Sequence, residues 1–103
     1  MKLAVLLLSM LPALAQAHYG MMECWLSNEG EALVCQAGWT DGTGAPNYDI
    51  ELYDYDETLL AREVTNSESL VTFQTPTDDF FVVFDSGHEY AVEVDVEDVK
   101  EVR

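Results

Sequence analysis

Met22-Glu23-Cys24-Trp25-Leu26-Ser27-Asn28-Glu29-Gly30-Glu31-Ala32-Leu33-Val34-Cys35 is the stretch that decides the fold. Its centre, Ser27 to Glu31, is rich in turn-forming residues and contains a glycine. Apolar segments flank it, from Met22 to Leu26 and from Leu33 to Trp39. Setting Leu26 opposite Leu33 across that turn also sets Cys24 opposite Cys35. Directly opposed residues on neighbouring strands have close Cβ atoms, so a disulfide fits between them. The turn and the two cysteines predict the same thing, an antiparallel hairpin closed by a Cys24–Cys35 bridge.

Outward from this hairpin the chain repeats strand and break. Thr40-Asp41-Gly42-Thr43-Gly44-Ala45-Pro46-Asn47 is a loop. Tyr48, Ile50 and Leu52 then alternate with Asp49, Glu51 and Tyr53, the period-2 pattern of a half-buried strand. A turn at Asp54 to Thr58 precedes a return strand, Leu59 to Val64. Asn66 to Ser69 and Thr75 to Asp79 bound the strands Leu70 to Phe73 and Phe80 to Phe84. In the last strand Tyr90, Val92, Val94 and Val96 share one face, and Glu89, Ala91, Glu93, Asp95 and Glu97 the other.

About seven strands with turns at this spacing, and no helical period beyond the leader, predict an all-β fold: one small antiparallel β-sandwich of the immunoglobulin-like kind. Trp39, Ile50, Leu52, Leu60, Phe73, Phe81, Val83, Tyr90, Val92 and Val94 are the expected inward set.

Upstream, Lys2 precedes an apolar run that closes on Ala15-Gln16-Ala17, the pattern of a cleaved secretory signal. The run from Leu3 to Ala15 is shorter than the roughly 20 residues of a spanning helix. Two parts are expected: residues 1–17 as signal peptide and 18–103 as the β-sandwich domain. Cleavage removes Lys2 and leaves Arg62, Lys100 and Arg103 against all twenty Asp and Glu, one negative charge beyond the −16 of the whole chain. That balance argues against nucleic acid and anionic membrane surfaces and suits cations or a basic partner. Acidic surfaces also serve solubility in general. No second apolar segment long enough to span a membrane follows, and two cysteines suit an oxidising, periplasmic or secreted location.

Cutting after Ala17 makes His18 the new N-terminus, with an α-amine and an imidazole on one residue. The other histidine, His88, sits in Asp85-Ser86-Gly87-His88-Glu89-Tyr90, between the last two strands. If both lie at one end of the sandwich, three nitrogens converge, and Asp85 or Glu89 can add an oxygen. Nitrogen donors with a carboxylate favour Cu(II) or Ni(II) over magnesium or calcium. A cut after Ala15 instead gives Gln16-Ala17-His18, which binds the same ions through the amine, two backbone amides and the imidazole. Met21 and Met22 offer thioethers but suit packing better. Asp54, Asp56 and Glu57 are only a fragment of a calcium loop. No nucleophilic triad, general acid–base pair or phosphate loop is present, so the chain reads as a binding protein rather than an enzyme.

Gly44-Ala45-Pro46-Asn47-Tyr48-Asp49-Ile50-Glu51-Leu52-Tyr53-Asp54, followed by Leu59-Leu60-Ala61, resembles the core of small transthyretin-like or carboxypeptidase-regulatory-like sandwiches. Phe80 through His88 is similar to the strand and "D-a-G-x-G-H" turn of NikL-type accessory components of nickel and cobalt uptake. Weaker is the similarity to CopC-type copper proteins, which pair an N-terminal histidine with an Asp-x-His turn; here the spacing is Asp85-x-x-His88. The sequence departs from the first pattern at Thr65 to Phe73, where the expected turn glycine is missing. These resemblances imply an exported protein with a nickel, cobalt or copper ion on His18, His88 and Asp85. They also imply a membrane metal-transport complex as partner. From the charge alone the alternative is a metal-independent sandwich that docks on a basic partner. A copper oxidase built on a histidine brace is a third reading.

Overall fold

The computed structural model describes residues 19–87 and 90–101. These residues form seven strands: β1 (Gly20–Ser27), β2 (Ala32–Trp39), β3 (Asp49–Asp54), β4 (Leu59–Val64), β5 (Leu70–Gln74), β6 (Phe80–Phe84) and β7 (Val92–Asp95). They make two antiparallel sheets, in the orders β1-β2-β5 and β4-β3-β6-β7. This is the predicted all-β sandwich. The grouping follows the A-B-E and C-F-G sets of an immunoglobulin-type sandwich, with β4 extending the second sheet.

The β1–β2 hairpin has the register read from the sequence. Leu26 pairs with Leu33 and Cys24 with Cys35. The cysteines form a disulfide with Cα atoms 4.0 Å apart, the close spacing of a non-hydrogen-bonded antiparallel pair. The turn uses left-handed backbone at Asn28, Glu29 and Gly30. Both cysteines are fully buried, in line with Leu33, Ala37 and Trp39 on the inner face. Val71 and Phe73 of β5 complete that face, and Ile50, Leu52, Phe80, Val82, Phe84 and Val94 come from the other sheet.

Four inward assignments fail for physical reasons. Phe80 to Phe84 is continuously apolar, so its parity is set by its neighbour. Phe84 pairs with Ile50 and Val82 with Leu52, which turns Phe80, Val82 and Phe84 inward and Phe81 and Val83 outward. On β4, Ala61 pairs with inward Leu52 and packs on the core, so Leu60 points away and is 46% exposed. A register shift opposite Leu52 and Tyr53 then pairs Leu59, not Leu60, with Tyr53. Tyr90 lies before β7 begins and is 71% exposed.

Past β7 a 3₁₀ turn (Val96–Asp98) carries the chain across to the first sheet. Leu26 N–H donates to Lys100 C=O at 3.2 Å, and Lys100 N–H donates to Cys24 C=O at 2.9 Å. This short parallel bridge covers the open edge of β1. Among the described residues no helix is long and apolar enough to cross a membrane.

The bridge closes a loop of 11-residue separation. Replacing both cysteines by alanine should lower unfolding stability by about 3 kcal/mol. The urea midpoint, measured with and without reductant, checks this: wild type under reductant should match the variant.

Candidate functional site

The end of the sandwich that holds the start of β1 is built by two buried hydroxyls. Thr65 Oγ1 donates to Ala45 C=O at 2.6 Å and accepts from Tyr48 N–H at 2.9 Å. Ser69 Oγ accepts from Ala45 N–H at 2.8 Å, and Ser69 C=O accepts from Ala37 N–H at 3.0 Å. Together they tie the β2–β3 loop to the β4–β5 turn. Gly44 belongs to this contact, since a Cβ there would stand 2.5 Å from Ser69 Oγ. Sequence reading missed both hydroxyls, because a Thr or Ser in a turn reads as solvated.

Above this lies an aromatic corner. Trp39, Tyr48 and Phe84 meet edge-on, with ring centroids 5.5 to 5.8 Å apart. Gly20, paired with Trp39, packs against the same group: a Cβ on it would lie 3.1 Å from Phe84 Cε2 and 3.4 Å from Val92 Cγ2. Its neighbour Tyr19 is fixed to the β2–β3 loop, donating to Thr40 Oγ1 at 3.2 Å and accepting from Thr40 N–H at 2.9 Å. The first residues of β1 thus rest on the last residue of β6 and the first of β7.

Of the three expected metal ligands, His18 and His88 lie outside the described residues, and so does Glu89, the other candidate carboxylate. Asp85 is exposed and accepts from Gly87 N–H at 3.0 Å, where Gly87 takes a positive φ of 87°. A shallow recess beside it is lined by Asp49, Glu51, Val83, Ser86 and Gly87 as well. Asp49 and Glu51 were read only as the polar face of a strand; their meeting with Asp85 depends on the pairing of β3 with β6. Among the described residues no three His, Cys, Asp or Glu side chains are grouped to hold a metal. Met22 packs on the core and Met21 is exposed. Asp54 accepts from Asp56 N–H and Thr58 N–H, which makes it a turn-closing residue.

The outer face of the four-stranded sheet pairs phenols with carboxylates. Tyr53 stacks on Phe81 with centroids 5.4 Å apart, and its hydroxyl donates to Glu51 at 2.6 Å. Arg62 binds the other oxygen of Glu51 through Nε and a terminal nitrogen, at 3.0 and 2.7 Å. The Tyr53 hydroxyl and then Arg62 hold the Glu51 carboxyl below its usual range. Tyr55 donates to Asp95 at 2.6 Å; that bond pushes the phenol up to about 12 and holds Asp95 low.

Comparison with protein-family models, curated proteins and solved structures gives no match.

Two outcomes follow from this geometry. Thr65→Val leaves Ala45 C=O and Tyr48 N–H without their partner and should cost about 1–3 kcal/mol in a urea titration. Tyr55→Phe should let Asp95 titrate closer to its ordinary 3.8, readable by carboxyl NMR. The sign is fixed at both ends: the depressed Asp95 stabilises above its unfolded value and loses this as pH falls through its lowered one. The raised Tyr55 stabilises below its ordinary 10.0 and loses this as pH climbs to about 12. The stability gap between wild type and variant should therefore be flat at neutral pH and narrow at both extremes.

Proposed function

We propose that this chain is an exported metal-binding protein that captures or delivers nickel, cobalt or copper, using His18 and His88 with Asp85 as the carboxylate. One observation supports the reading above the others. Gly20, two residues after His18, packs against Phe84 and Val92, which bracket His88 in the sequence. The chemistry fits as well: a free α-amine and two imidazoles are borderline donors that select late first-row divalent ions. Asp49 and Asp85 border one recess beside that turn, within a strongly acidic chain that concentrates cations. The disulfide suits the periplasm or the exterior, where such an ion is first met. A membrane metal-transport complex is the partner this role implies, and binding rather than catalysis is its chemistry.

The amine and the imidazoles bind only when deprotonated, so affinity should fall as pH drops. The test is calorimetric titration of the purified protein with Cu(II) and Ni(II), beside His88→Ala and a variant with one extra N-terminal residue. Both variants should bind at least about tenfold more weakly. Mass spectrometry should find His18 as the first residue, or Gln16 with the amide-bound mode. Unchanged affinity in both variants removes the two-histidine site.

A further inference from the structure

Four sheet edges exist in a two-sheet sandwich, and three of them are dealt with here. The β1 edge is covered by the Lys100 bridge, and β7 lies beside β1, where Val92 approaches Gly20. On β5 the exposed side chains are the polar Thr72 and Gln74, beside a half-buried Leu70. The edge strand β4 differs. Leu59, Leu60 and Val64 are 42%, 46% and 55% exposed, and among the described residues β4 pairs with β3 alone. An apolar edge strand with open backbone groups is a template for another strand.

Charge decides what that strand is. Arg62 is engaged by Glu51. Glu63, opposite inward-facing Ile50, is exposed at the edge. Asp49, opposite Val64, and Glu57 and Glu68, in the turns at either end of β4, are exposed too. A second copy of this chain would bring Glu63 and these carboxylates against their own duplicates. An extended segment alternating basic and apolar side chains meets Glu63 with a cation on one face and Leu60 and Val64 with apolar groups on the other.

We infer that β4 is a docking edge for a basic, extended polypeptide segment, which adds to the four-stranded sheet beside Leu59–Val64. The inference does not depend on the metal reading.

The experiment uses the metal-free protein in EDTA and an octapeptide of alternating lysine and valine. Comparison peptides are the glutamate–valine octapeptide and the lysine–valine one with proline at a central valine. Amide NMR shifts should concentrate on residues 59–64. A Leu60→Lys, Val64→Lys double variant should weaken binding at least about tenfold, while Thr72→Lys on β5 changes it less than about twofold. Both variants alter exposed side chains, and thermal melts verify that they fold. Equal binding of the proline peptide would overturn the inference, leaving only diffuse charge attraction. Shifts elsewhere on the protein, or an equal loss in Thr72→Lys, would overturn it too. So would a dimer in sedimentation that the double variant abolishes, because the occupant would then be a second copy.

Discussion

Everything in this small sandwich hangs on the registered pairing of β1 with β2. Side chains alternate with period two, so a slip of β2 by one residue would turn Leu33, Cys35, Ala37 and Trp39 to solvent and Gln36 to the core. The Cys24–Cys35 bond joins directly opposed residues and so forbids the slip covalently. It also fixes both partners of the first sheet: β5 pairs along β2, and the Lys100 segment pairs along β1. A domain this small buries a modest core and relies on such a constraint.

The same register reaches the far end of the hairpin, where function is proposed. Pairing Gly20 with Trp39 puts a residue without a side chain beside the Phe84 ring, so the first sheet can approach the second closely there. Thr65 and Ser69 hold the loops around it through buried hydrogen bonds. The end is therefore held by close packing and buried hydroxyls.

The sequence was most legible where local signals agreed. Turn residues between Leu26 and Leu33 and two cysteines at matching distance specified one hairpin, and alternation in Tyr48 to Tyr53 specified β3. Legibility failed where orientation is decided by a neighbour distant in sequence. Phe80 to Phe84 carries no alternation, so only its pairing with Ile50 and Leu52 tells which face is buried. Leu60 misled because β4 is an edge strand with shifted register, and edge leucines need not be inside. Thr65 and Ser69 were invisible because their buried partners lie about twenty residues away, across a loop. The candidate metal site splits the same way: Asp85 was readable as a turn carboxylate, whereas Asp49 beside it needed the β3–β6 pairing.

With so few cations, the protein must hold its carboxylates by other means, and the outer sheet shows how. Tyr55 donates its phenolic hydrogen to Asp95 where a basic residue would ordinarily stand, and Tyr53 shares Glu51 with Arg62. Elsewhere backbone N–H groups do the same for Asp41, Asp54 and Asp85. A neutral donor orients a carboxylate and favours its ionised form without cancelling its charge. An ion pair such as Arg62–Glu51 does cancel it. The fold thus preserves its negative field instead of neutralising it locally. Such a field raises the local concentration of cations. Its cost is self-repulsion in a small domain, which the disulfide and the two buried hydroxyls offset.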